Sequence, residues 1–202
     1  MGPAGGGVRG AILAGGGATR FGRRPKGLES VGGQRILDRL VDTFVEALGD
    51  LPLLVANAPD AEHWRPDLRV VPDSEPGHGT LSGLLTAVRV APAPVVCAAW
   101  DMPFVPPGLL RALAAGLDGH DVYLPASGGR RGLEPLCAAY GPACGAAIER
   151  SIVAGDLRAI GFHEFVRVGI LREDVVRGFG DPARLFFNIN TAEDLLRAEE
   201  LA

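Results

Sequence analysis

The stretch Val8-Arg9-Gly10-Ala11-Ile12-Leu13-Ala14-Gly15-Gly16-Gly17-Ala18-Thr19-Arg20-Phe21-Gly22-Arg23-Arg24-Pro25-Lys26 decides the fold. Its first part, Val8 to Ala14, is a short apolar run bounded by turn signals, the pattern of a strand buried in a parallel sheet. A glycine-rich loop follows at once. Consecutive backbone N–H groups left uncovered by Cβ atoms can surround phosphate oxygens, and glycine tolerates the dihedrals this requires. The dinucleotide pattern GxGxxG fits Gly15 and Gly17 but puts Arg20 where the last glycine permits close helix packing. Gly17 and Gly22 have the Walker separation, yet Arg23-Arg24 stand where Lys-Ser or Lys-Thr belong. What remains is a run of bare amides with Arg20 and Lys26 on its far side, which suits a triphosphate better than a dinucleotide. Lys26 is the only lysine among 20 basic residues.

Outward from this stretch the apolar pattern alternates between two periods. Ile36, Leu37, Leu40, Val41, Phe44, Val45 and Leu48 recur at three and four, with Gly49 as a stop, and predict an amphipathic helix. Leu53 to Ala56 and Leu68 to Val71 read as short strands, Leu81 to Val90 as a helix, and Pro94 to Ala99 as another continuous apolar strand. In the second half Asp121 to Pro125, Leu136 to Tyr140 and Phe165 to Val168 read as strands and Ala143 to Ala154 as a helix. A last helix starts at Thr191, an N-cap with Glu193 and Asp194 behind it, and runs to about Leu201. Strand, loop and helix in repetition imply an α/β domain with a mostly parallel sheet, whose ligands bind beyond the carboxyl ends of the strands. The polar residues just past strands are then the candidates: the loop after Ala14, Asn57, Asp73 and Asp101. A carboxylate in Asp101's position can hold Mg²⁺, which takes few protein oxygens and shares the rest with phosphates and water.

A chain of 202 residues, 47% hydrophobic and 22% charged, has the length and composition of one compact domain spanning residues 1–202 and is not a disordered chain. A net charge of −4 argues against nucleic acid as a partner. Three cysteines, at 97, 137 and 144, give neither a disulfide framework nor a zinc-site spacing, and fit a reducing compartment. Histidines 63, 78, 120 and 163 have no metal-ligand spacing. With no signal peptide and no apolar stretch of membrane-spanning length, the expectation is a cytoplasmic protein without a membrane partner.

At these residues the chain resembles the nucleotidyltransferases that share a glycine-rich signature over Leu13 to Lys26, and within that group the molybdenum cofactor guanylyltransferases. Further matching segments are Lys26-Gly27-Leu28, Asn57, Asp73, Gly79-Thr80-Leu81-Ser82-Gly83, Trp100-Asp101-Met102-Pro103-Phe104, Glu134-Pro135-Leu136 and Phe187 to Asp194, which together span nearly the whole chain. The resemblance implies a Rossmann-like three-layer αβα nucleotidyltransferase fold that transfers GMP from GTP to the phosphate of molybdopterin. It also implies that Leu13, Ala14, Gly15 and Gly16 contact the nucleotide and Lys26 its phosphates. Asn57 and Asp73 would take the guanosine, Gly79 to Gly83 would shape the base pocket, and Asp101 would bind Mg²⁺. Asn188 and Asn190 would face the molybdopterin, and Arg20, Lys26 and Asp101 would carry catalysis. Proteins that insert molybdenum or accept the finished cofactor would be its partners. The chain departs from the family pattern at Pro25, where Asp is usual, at Trp100, where Gly or Cys is usual, and at Thr80 and Ser82, which replace Pro and Ala.

In such a transfer an acceptor phosphate oxygen attacks the α-phosphorus of the nucleotide and pyrophosphate leaves in line. Positioning and charge stabilisation supply most of the barrier reduction, so no side-chain nucleophile is required. The competing readings are a molybdopterin cytidylyltransferase, another NTP-dependent nucleotidyltransferase, and a noncatalytic nucleotide-binding protein. Nucleotide preference separates the first two from the guanylyl reading, and Mg²⁺-dependent pyrophosphate release separates the last.

Overall fold

A computed structural model describes residues 7–15, 25–91, 93–128 and 132–202. The first strand, β1 (Arg9–Leu13), leads to a small hairpin, β2 (Ser30–Val31) and β3 (Gln34–Arg35), and then to α1 (Ile36–Leu48). β4 (Leu53–Val55), β5 (Val70–Val71), α2 (Thr80–Val90), β6 (Val95–Ala99) and α3 (Pro107–Ala115) complete the first half. The second half holds β7 (Val122–Pro125), β8 (Cys137–Tyr140), α4 (Cys144–Val153), β9 (Val168–Leu171), two single-turn helices α5 (Glu173–Val176) and α6 (Pro182–Leu185), and α7 (Ala192–Leu201).

Among the described residues seven strands form one sheet in the order β5-β4-β1-β6-β8-β7-β9. β8 alone runs against its neighbours β6 and β7, and every other adjacent pair is parallel. Alternation along β1 separates the two faces: Ile12 packs with Ile36, Leu40 and Phe44 of α1 and Leu109 and Leu110 of α3. Ala11 and Leu13 pack with Leu81, Leu84 and Leu85 of α2 and Cys144 and Ile148 of α4. This is the three-layer α/β architecture, and each fully buried leucine contributes roughly 1.5–3 kcal/mol relative to an exposed one. No helix among the described residues is long and apolar enough to cross a membrane.

The expected helix over 36–48 is present, with the Gly49 N–H closing on the Val45 carbonyl at 2.9 Å. The Thr191 cap also forms as read, its hydroxyl accepting from the Asp194 N–H while Asp194 accepts from the Thr191 N–H. The strand expected over Phe165 to Val168 is displaced. Residues 161–165 instead form a 3-10 turn, where Phe165 lies under the Arg150 guanidinium, and the strand begins at Val168 beside Val122. The sequence reading also missed α3, whose Pro106-Pro107 start looks like a loop, although proline at the first helical position needs no N–H partner.

Register sets up the site. Leu13 pairs with Val55 and Ala99, and Val55 pairs with Val71. The row Val71, Val55, Leu13, Ala99 therefore marks the carboxyl edge of four parallel strands. Two residues beyond it, side by side, stand Asp73, Asn57, Gly15 and Asp101. Antiparallel β8 begins where its neighbour β6 ends, with Ala98 opposite Cys137, so Glu134-Pro135-Leu136 borders the same edge.

Candidate active site

A cavity of about 730 Å³ opens at this edge. Leu13, Ala14 and Gly15 form its floor, Asn57, Asp73, Gly79 and Gly83 one wall, and Asp101, Asn188 and Asn190 the opposite one. Glu134 to Leu136 and Ala159 complete its rim. The size suits a nucleotide together with part of an acceptor. Gly16 and Arg20, together with Gly17, Gly22, Arg23 and Arg24, lie outside the described residues.

The wall of Asn57 and Asp73 is fixed by a reciprocal pair. The Asn57 amide donates to Asp73 Oδ2 at 2.7 Å and its oxygen accepts from the Asp73 N–H at 2.8 Å. Each thus holds the other at the end of its strand, and Asp73 keeps a second carboxylate oxygen for a ligand's N–H groups. Gly79, at φ 60° and ψ −132°, takes a conformation that side chains rarely adopt and turns the loop into α2. Gly83, one turn on, presents no side chain beside Asp73, whose Oδ1 would stand 3.7 Å from a Cβ there.

The opposite wall gathers charge. Lys26 sits in a short 3-10 turn and is only 9% exposed. Its ammonium donates to Asn190 Oδ1 at 2.8 Å and lies 3.8 Å from Asp101 Oδ2. Asp101 in turn anchors the segment that carries Asn190, because its backbone carbonyl accepts from the Ile189 N–H at 3.0 Å. Asn190 is further fixed by its own N–H, which donates to Asp194 Oδ2 at 2.9 Å. Asn188 sits beside it, donating to the Phe186 carbonyl at 2.8 Å. The structure thus places Asn190 on the lysine, a contact across 164 residues of sequence that no local pattern announces.

Burial pushes the Asp101 carboxyl above its ordinary range, and the Lys26 ammonium pulls it partway back. Among the described residues Asp101 Oδ1 is buried without a hydrogen-bond partner. A buried acceptor left unpaired is costly unless a ligand completes it. The described residues contain no group of three or more His, Cys, Asp or Glu side chains able to hold a metal. A single carboxylate sharing a cation with ligand oxygens is the way Mg²⁺ binds beside phosphates, and Asp101 offers that donor.

The departures from the family pattern find places in this geometry. Trp100 borders the cavity but its ring is packed in the core, 1% exposed and stacked on Trp64 with ring centroids 5.2 Å apart. A Cβ on Gly27 would collide with the Trp100 ring, so the bulky residue before Asp101 is matched by a glycine after Lys26. The packing of 27 on 100 brings Lys26 and Asp101 together. The carbonyl of Pro25 accepts from the Leu28 N–H and starts the turn that carries Lys26. Sequence reasoning gave no role to Ala159, on the cavity rim, or to the Ser82 hydroxyl.

Residues 10–167 match the MobA-like NTP transferase domain. The chain is 36% identical over 194 residues to a probable molybdenum cofactor guanylyltransferase of Pelotomaculum thermopropionicum, covering 96% of this chain and 92% of that one. It is 33% identical to the molybdenum cofactor guanylyltransferase of Desulfosudis oleivorans, over 95% and 94% of the two chains. Among solved structures it superposes on molybdopterin-guanine dinucleotide biosynthesis protein A of Archaeoglobus fulgidus with a TM-score of 0.80 at 28% identity, covering 96% and 98%. The match extends over the glycine-rich strand exit, the Asn57 and Asp73 wall and the Lys26 and Asp101 pair alike, and the chain belongs to the MobA-like NTP transferase family.

Proposed function

We propose that the protein transfers GMP from GTP to the phosphate of molybdopterin, forming the guanine dinucleotide cofactor and releasing pyrophosphate, with Mg²⁺ held on Asp101. The observation that carries this reading is the single row of Gly15, Asn57, Asp73 and Asp101 along one cavity, with the chain's only lysine 3.8 Å from the carboxylate. Relatives of nearly equal length named molybdenum cofactor guanylyltransferase support the guanylyl reading over the cytidylyl one. Retention of both Lys26 and Asp101 in contact argues against a noncatalytic binder.

The cavity divides by chemistry. Asn57 and Asp73 offer amide and carboxylate groups suited to the donor-rich edge of guanine. Bare backbone at Gly15, where even a Cβ would meet open space, lets phosphates approach the strand end. Lys26, a compact charge with three donors, draws negative oxygens toward Asp101 and offsets charge on the departing pyrophosphate. Asp101 Oδ1 would hold Mg²⁺, which when bound draws the phosphate oxygens together and polarises the α-phosphoryl group. Asn188 and Asn190 would face the acceptor on the far wall. In the transfer a bond forms from the acceptor phosphate oxygen to the α-phosphorus as the bond to pyrophosphate breaks.

Calorimetric titration of GTP, CTP, ATP and UTP with Mg²⁺ tests the base assignment. GTP is expected to bind at least about tenfold more tightly than the others, which corresponds to about 1.4 kcal/mol. Equal or tighter binding of CTP would overturn the guanine reading.

A further inference from the structure

The segment from Ser74 to His78 connects Asp73 to Gly79 and so carries the base-side wall, yet main-chain bonds do not brace it. Its backbone is held by hydroxyls of α2. Ser82 Oγ donates to the Glu75 carbonyl and accepts from the His78 N–H at 3.1 Å. Thr86 Oγ1 accepts from the Ser74 N–H at 2.8 Å and donates back to the Ser82 carbonyl at 2.8 Å. Both side chains are fully buried. A serine hydroxyl has one donor and two acceptor sites, and this one is satisfied on both counts by a single loop. Helical side chains lean toward the N-terminus of their helix, which is why residues at 82 and 86 reach back to a loop that precedes Thr80.

The loop needs such a brace. Gly77 and Gly79 both have positive φ, at 101° and 60°, so the segment has more backbone freedom to lose than most. Gly83, next to Ser82, faces Asp73 and the cavity. One turn of α2 thus performs two tasks: residue 83 leaves room beside Asp73, and residue 82 ties down the chain that carries the wall. Alanine at 82 would leave the Glu75 carbonyl and the His78 N–H without these partners and free the loop to sample other conformations.

Resting on the guanylyltransferase reading, we propose that Ser82, supported by Thr86, is a positioning residue for nucleotide selection, which presets the 74–78 loop so that the purine nucleotide meets a formed wall. It touches no reacting atom and acts on binding rather than on phosphoryl transfer. Arg89 extends the same brace outward, bonding the Glu75 carboxylate at 2.8 Å and Glu149 at 2.7 Å across to α4.

Steady-state kinetics of Ser82→Ala and Thr86→Val, with hydrogen exchange of the His78 amide, test this. The expected result for Ser82→Ala is a KM for GTP raised about tenfold, a kcat within about twofold of the parent, and faster exchange at His78 while the amides of β6 stay protected. Thr86→Val is expected to shift the same KM by a smaller factor without moving kcat. An unchanged KM in Ser82→Ala, or a fall in kcat at constant KM, overturns the proposal. GTP binding by the parent chain is measured first. Its absence would defeat the guanylyltransferase reading and this inference together, whereas binding that Ser82→Ala leaves intact would defeat the inference alone.

Discussion

Asp101→Ala is expected to lower kcat by about 10³-fold or more, a loss on the scale of removing a principal transition-state charge contact. The carboxylate lies 3.8 Å from Lys26 at the strand edge, and among the described residues its Oδ1 has no hydrogen-bond partner. A second consequence separates catalytic loss from unfolding. The alanine variant also leaves the buried Lys26 ammonium without its carboxylate neighbour, though still bonded to Asn190, so its Tm should be somewhat below the parent's while it remains folded at the assay temperature. Asp101→Asn keeps the shape and removes the charge, and should be nearly as inactive. Steady-state turnover with a thermal melt on the same samples checks this. Turnover within threefold of the parent in the folded variant would show that Asp101 does not serve the reaction.

Lys26→Ala should reduce kcat/KM by about 10²- to 10³-fold, since a buried cation facing phosphate oxygens contributes far more than a solvated one. Arginine should not restore it. The ammonium is confined to a site 9% exposed, with Asn190 Oδ1 at 2.8 Å and Asp101 Oδ2 at 3.8 Å, and a planar guanidinium needs a wider space. Asn190→Leu removes the acceptor that orients the lysine, so its effect should be largely absent in a Lys26→Ala background. A double-mutant cycle on kcat/KM measures the coupling. Additive losses at 26 and 190 would mean that Asn190 acts on the acceptor alone.

How far these residues could be read from sequence follows from where their information lies. The parallel core was legible because Gly10 to Ala14 and Pro94 to Ala99 are continuous runs without a polar side chain, as a strand covered on both faces of a sheet requires. Asn57, Asp73 and Asp101 could be picked out because each directly follows such a run, and register then placed them side by side with Gly15. The direction of β8 was not legible, since apolar residues 137–140 fit either orientation and the choice depends on where neighbouring strands end. Phe165 was misassigned because its contact with Arg150 is tertiary. The Lys26 and Asn190 pair, and the packing of Trp100 on Gly27, likewise join distant parts of the chain. Ser82 looked like a plain departure from alanine because the groups it satisfies belong to a loop without periodicity.

The central claim is tested most directly by incubating the protein with Mg²⁺, molybdopterin and each nucleoside triphosphate in turn, while measuring pyrophosphate release and the mass of the pterin product. The account predicts pyrophosphate and a guanine dinucleotide in equal amounts with GTP, at least about tenfold slower release with CTP, ATP or UTP, and none without molybdopterin. A cytosine dinucleotide formed faster than the guanine one, or no pyrophosphate from any nucleotide, would contradict it.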